Sequence, residues 1–141
     1  MELHTVLVAH FAATCVMTGL IWFVQVVHYP LFASVGREAF AAYQAQHVRL
    51  TTYVVGPPML IEATTGVYLV SQAAALPNQW AFWAGMVLLG VVWVATAAFS
   101  VPAHGRLEAG FDAKVHARLV WTNWVRTLAW TARVGLVWLL L

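Results

Sequence analysis

The chain has 141 residues, 62% of them hydrophobic and 9% charged, with a formal net charge of +2 and a mean hydropathy of +0.79. A soluble domain is roughly 45–50% apolar and about 25% charged, so too few polar side chains remain to coat a domain of this size in water. Lipid is the expected solvent and partner. The small net charge, with no basic stripe, argues against nucleic acid, and the single cysteine, Cys15, has no partner for an intramolecular disulfide.

A bilayer is crossed by about 20 mainly apolar residues in helix, and four such segments can be placed, at about 3–27, 51–72, 80–101 and 119–141. The first ends in "QVVHYP", where Pro30 stops the helix just beyond His28. It begins with Glu2 in place of a basic region and is too long for a cleaved signal sequence, so it is expected to remain. The connection "LFASVGREAFAAYQAQHVRL" reads as helical from Arg37, either an interfacial helix or an extension of the second span. The second span carries Pro57 and Pro58, which remove two amide donors and should bend it one turn before Glu62. "AAALPN" is a tight turn, and "HGRLEAGFDAKVHAR" is a polar connection broken near "AGFD". No internal repeat and no linker are evident. The expectation is an all-α, integral membrane bundle of four transmembrane helices forming one domain over 1–141, because lipid cannot satisfy an open sheet edge.

Arg37, Arg49, Arg106, Lys114 and Arg118 all fall on the first and third connections. The positive-inside rule then makes those connections cytoplasmic and leaves both termini outside, as in a bacterial inner-membrane protein.

Each span has a polar stripe at helical spacing, and such faces turn into a bundle because lipid penalises them. Threonines and serines on these stripes are read as helix–helix hydrogen bonds. Ionisable groups are different, since a charge near the bilayer centre costs at least about 2.5 kcal/mol and is normally paired. Glu62 lies about 15 Å into the second span and Arg126 about 10 Å into the fourth, from the same side, so the two are expected to meet as an ion pair, structural or functional. Asn123 lies one turn before Arg126 on the same face. Three histidines on three helices, His28, His47 and His104, share one membrane boundary, with His116 near them; His10 lies about 27 Å away along the first helix and belongs elsewhere. Converging imidazoles can hold a transition metal or, as a pair, a haem iron, or can carry protons with no cofactor at all. Alternatively they are tolerated headgroup-level side chains. Tyr29, Tyr43 and Tyr53 are read as members of an aromatic belt.

"HYP" ending the first span, Tyr43 and Gln46 after it, and "FSVPAH" ending the third resemble the anthrone-oxygenase-like group of small four-helix membrane proteins. The resemblance implies a four-helix bundle and, for its characterised branch, oxygenation of an aromatic polyketide-derived substrate; "TNWVRTLAW" has no counterpart in it. The leading expectation is therefore a membrane-embedded oxidoreductase or oxygenase acting on a lipophilic small molecule. In it His28, His47 and His104 bind a metal or haem or act as acid–base groups, and Glu62, Asn123 and Arg126 line the pocket. The alternatives are a small, oligomeric proton-coupled transporter using Glu62, and a non-catalytic subunit of a larger membrane complex.

Overall fold

A computed structural model describes residues 2–141. These residues form four long helices and, among the described residues, no strand. Helix α1 spans Leu3–Ser34, α2 Arg37–Ser71, α3 Gln79–Leu107 and α4 Ala113–Trp138. Helices α1, α2 and α3 are long and apolar enough to cross a membrane. Helix α4 carries Lys114, Arg118, Arg126 and Arg133 and is not among them. The extra length of α2 settles the first connection: it is a continuation of the second helix, with Phe40, Gln44 and His47 buried on one face. That helix also runs unbroken through Pro57 and Pro58.

Helix α1 packs on α2 and on α4, and α4 packs on α3. The α2–α3 seam is the loosest. Near the end that holds both termini it is closed where Gly66 admits Met86 and Leu89, whose side chains stand 3.3–3.4 Å from the place a Cβ would take. It closes again where α2 meets 101–107.

Two features of the chain recur in both helical hairpins. Helices α1 and α3 each contain a π-helical turn, Val24–His28 and Thr96–Ser100, and each turn is followed two residues later by a proline, Pro30 and Pro102. A proline lacks the N–H that would reach back one turn, and its ring collides with the carbonyl four residues earlier. One widened turn relieves both problems without ending the helix. It also shifts the register, so that Gln25 and Tyr29 on α1, and Ser100 and Ala103 on α3, all turn inward.

The bundle is apolar outside and polar in layers within. Val67 and Trp121 are 71% and 75% exposed, whereas Glu62, Asn123, Thr127 and Arg133 are 0% exposed. Three apolar clusters stack along the axis, around Leu69 and Phe82, around Met17 and Trp130, and around Phe32 and Phe40. Polar side chains fill the two levels between them.

Gly110, at φ +133°, turns the last connection into α4. Asp112 then caps α4, its carboxylate accepting from the N–H groups of Lys114 and Val115 at 2.8 and 3.0 Å. Those two bonds hold its carboxyl below the usual range. A carboxylate depressed in the folded state contributes stability above its unfolded pKa and loses it as pH falls through the folded value. Asp112→Ala should therefore lower the thermal unfolding midpoint at pH 7, with the difference from the parent protein vanishing in strong acid. Asp112→Asn, which keeps the cap, should leave the neutral-pH midpoint in place.

Candidate functional site

The two polar levels differ in kind. The level nearer the termini is a buried ion-pair network, in which only Arg133 Nε among the buried side-chain donors of the described residues lacks a partner. The Glu62 carboxylate accepts from Arg133 Nη1 at 2.7 Å and Thr14 Oγ1 at 2.8 Å on one oxygen, and from Trp130 Nε1 at 2.9 Å on the other. Arg133 Nη2 donates to His10 Nε2 at 3.0 Å, which makes that nitrogen an acceptor and places the imidazole proton on Nδ1, facing Thr65 Oγ1 at 2.7 Å. Both members of the ion pair are fully buried.

The expected pairing of Glu62 with Arg126 is thus incorrect: the partner is Arg133. Side chains on a helix lean toward its N-terminus, and Arg126 is further drawn that way by Asn123, one turn back, whose Oδ1 accepts from Nε at 3.0 Å and Nη2 at 2.5 Å. Arg133, about two turns further along α4, is the guanidinium left at the depth of Glu62. His10 does lie apart from the other histidines, in this network.

The second level, toward the connections, is where the boundary histidines meet. His28 Nε2 is hydrogen-bonded to His47 Nδ1 at 2.8 Å, and Thr51 Oγ1 approaches the same nitrogen at 3.1 Å. The His47 and His104 rings are 5.2 Å apart. His104 uses both nitrogens, Nδ1 with Gln44 Nε2 at 2.8 Å and Nε2 with the Tyr29 hydroxyl at 2.9 Å. As the Gln44 amide donates to Nδ1, His104 carries its proton on Nε2 and donates to Tyr29. His116 Nε2 donates to the Tyr29 carbonyl at 2.8 Å, so it holds the backbone beside Pro30 and not the site itself. Arg126 reaches this level too, with Nη1 donating to Thr96 Oγ1 at 3.2 Å and Nη2 to the Tyr29 hydroxyl at 3.4 Å. Asn123 in turn donates to Gln25 Oε1 at 2.8 Å, which ties the arginine to the π-turn of α1.

Beside these groups lies a cavity of about 300 Å³ in the α2–α3 seam. Its walls include Tyr29, His47, His104, Ser100, Thr96 and Arg126 at one end and Met17, Ile21, Val55 and Met59 at the other. The exposed residues Thr52, Val101, Gly105 and Glu108 form the mouth, which opens sideways between two helices. Trp130 lines the cavity while its N–H is committed to Glu62, so it partitions the two levels. Neither Glu62 nor Asn123 lines the cavity, and His28 stands behind His47.

The three boundary histidines do not converge as ligands of one metal ion. Among the described residues, no group of three or more His, Cys, Asp or Glu side chains is arranged to hold a metal ion. The physical reason is that His104 spends both ring nitrogens on Gln44 and Tyr29, while His28 and His47 face each other directly. Tyr29 and Gln44 are the residues that sequence reasoning missed. Gln44 lies one turn before His47 on the buried face of α2, a spacing that could have found it. Tyr29 lies one turn after Gln25, so the same spacing argument reaches it, but as an aromatic at a membrane boundary it is read as part of a belt.

No protein-family model matches the chain, and neither a curated protein nor a solved structure matches it.

Breaking a buried ion pair by removing one partner typically costs about 3–5 kcal/mol, because the other charge is stranded. Glu62→Gln and Arg133→Met should each destabilise the detergent-solubilised protein by about that much. The double variant should lose clearly less than the sum, as measured by denaturant titration.

Proposed function

We propose that the protein is an integral membrane enzyme, an oxidoreductase or oxygenase that draws a lipophilic small molecule from the bilayer into the α2–α3 cavity. In this reading all four helices cross the membrane, with α4 shielding its arginines inside the bundle and its outer face apolar. The connections, which carry Arg37, Arg106, Lys114 and Arg118, lie on the cytoplasmic side. The observation that carries the reading is one cavity that joins an apolar end to an imidazole and a guanidinium. Ligand sites are mostly apolar concavities with a few converging polar groups, and a sideways mouth suits a substrate dissolved in lipid.

The chemistry rests on one tautomer of the histidine pair. In the tautomer in which His47 donates through Nδ1 to His28, its Nε2 is a bare acceptor, a general base oriented by a second imidazole. It takes a proton from an acidic C–H or O–H of the substrate. The electron pair left behind moves onto a substrate oxygen, which Arg126 and the Tyr29 hydroxyl stabilise. Dioxygen dissolved in the bilayer is then the oxidant: one of its atoms replaces two hydrogens at a substrate carbon and the other leaves with those hydrogens as water. This agrees with the resemblance to the anthrone-oxygenase-like group. No step in this scheme passes through a metal or haem.

The transporter alternative rests on proton exchange at Glu62, but that carboxylate is fully buried, bound by three donors and outside the cavity. Its role is better explained as holding α1, α2 and α4 together.

The test uses purified protein in nanodiscs with a panel of lipophilic phenols and ketones. In D2O under argon, one class should exchange hydrogen for deuterium at an acidic C–H position, and under oxygen the same class should gain one oxygen and lose two hydrogens by mass spectrometry. His47→Ala should slow the exchange by roughly 10²–10⁴-fold. Exchange by no panel member, or exchange unaffected by His47→Ala, would sink the proposal. Turnover that tracks a visible absorption band or stoichiometric metal would instead overturn the cofactor-free form of it.

A further inference from the structure

The two arginines of α4 are both buried, yet only one is neutralised. Arg133 is paired with Glu62, and Arg126, 8% exposed, has no carboxylate within pairing distance. The one carboxylate on the cavity wall, Glu108, stands exposed at the mouth and forms no ion pair. A guanidinium is always charged and has five N–H donors. Four of those on Arg126 are spent, two on Asn123, one on Thr96 and one on Tyr29, which leaves one Nη1 hydrogen beside the cavity. Its neighbours have donors to spare as well. The Tyr29 oxygen accepts from His104 and from Arg126, so its own hydrogen is unspent. The hydroxyl of Ser100, 5% exposed on the same wall, makes no hydrogen bond among the described residues.

The polar end of the cavity therefore presents a full positive charge and three unspent hydrogens. A buried cation without a counter-charge is costly, and the cost is removed when an anion arrives with lone pairs for those hydrogens. Water supplies the lone pairs but not the charge. The opposite end, formed by Met17, Ile21, Val55 and Met59, accepts only an apolar body.

We infer that the cavity selects an amphipathic monoanion, an apolar molecule with one anionic oxygen group such as a carboxylate, over its neutral counterpart. The inference rests on the reading of this cavity as a ligand site and adds the charge of the ligand to it. Arg126 supplies the counter-charge, and Tyr29 and Ser100 complete the headgroup contacts. Trp130, its N–H committed to Glu62, stands between the cavity and the second arginine.

The experiment photolabels the protein in nanodiscs of neutral lipid with a pair of diazirine probes, a medium-chain fatty carboxylate and the alcohol of the same chain. Labelled residues are located by mass spectrometry. The carboxylate should label Met17, Ile21, Val55 and Met59 about tenfold more efficiently than the alcohol, as expected for one charge-assisted contact. Arg126→Met should abolish that preference while alcohol labelling persists, and Arg126→Lys should retain part of it. Equal labelling of the cavity by both probes in the parent protein would overturn the inference and leave the ligand-site reading standing. Labelling by neither would overturn both. Because the parent protein alone decides the first comparison, misfolding of an Arg126 variant does not protect the inference.

Discussion

A cation inside a low-dielectric bundle must find an anion or remain poised for one. This constraint organises the molecule, because α4 carries two arginines on one face, about two turns apart. Arg133 meets it at once, through a carboxylate whose two oxygens are further satisfied by Thr14 and Trp130. That cluster joins α1, α2 and α4 at the level where the termini are near, and it leaves little freedom in how those helices are staggered. With the stagger set, Arg126 can only sit among the groups that line the cavity. Its neighbours Asn123, Thr96 and Tyr29 are all neutral hydrogen-bonding groups, which orient a charge without cancelling it.

The cavity exists because α2 and α3 do not pack along their full length, and the π-turns of α1 and α3 explain why polar groups look into it. Each turn inserts one extra residue before a proline, so the helix continues but its facing pattern shifts. Without the shift in α1, Tyr29 would leave the level it shares with His104. Without the shift in α3, Thr96, Ser100 and His104 would not address one space. The two hairpins solve the same proline problem in the same way, and the site forms where both solutions face each other.

Much of this was legible from composition and spacing. The long apolar segments, the inward stripes and the common depth of His28, His47 and His104 all follow from helical periodicity and a scarcity of charge. His10 was correctly set apart by simple rise along one helix. The ion pair was misassigned because depth was counted from assumed span starts at 51 and 119, whereas the helices begin at Arg37 and Ala113. Rise alone also ignores the lean of a long side chain toward its helix N-terminus. Tyr29 reads as a belt aromatic because membrane interfaces enrich tyrosine, which masks its i, i+4 spacing from Gln25. Spacing gives the common depth of the imidazoles, but neither their convergence nor the partners of each ring nitrogen, which depend on side-chain packing between helices.

The nitrogen inventory carries the argument one step further. His104 is locked by Gln44 and Tyr29 and offers nothing to a ligand except through Tyr29, whereas His47 keeps a nitrogen that no protein group takes. A general base needs that free lone pair, and a stabiliser of negative charge needs unspent donors near it. His47, Tyr29, Ser100 and Arg126, one from each of the four helices, line the same cavity. His28, at the helix end, contacts His47 and does not itself line the cavity. The π-turn followed by Pro30 fixes the end of the helix that carries it.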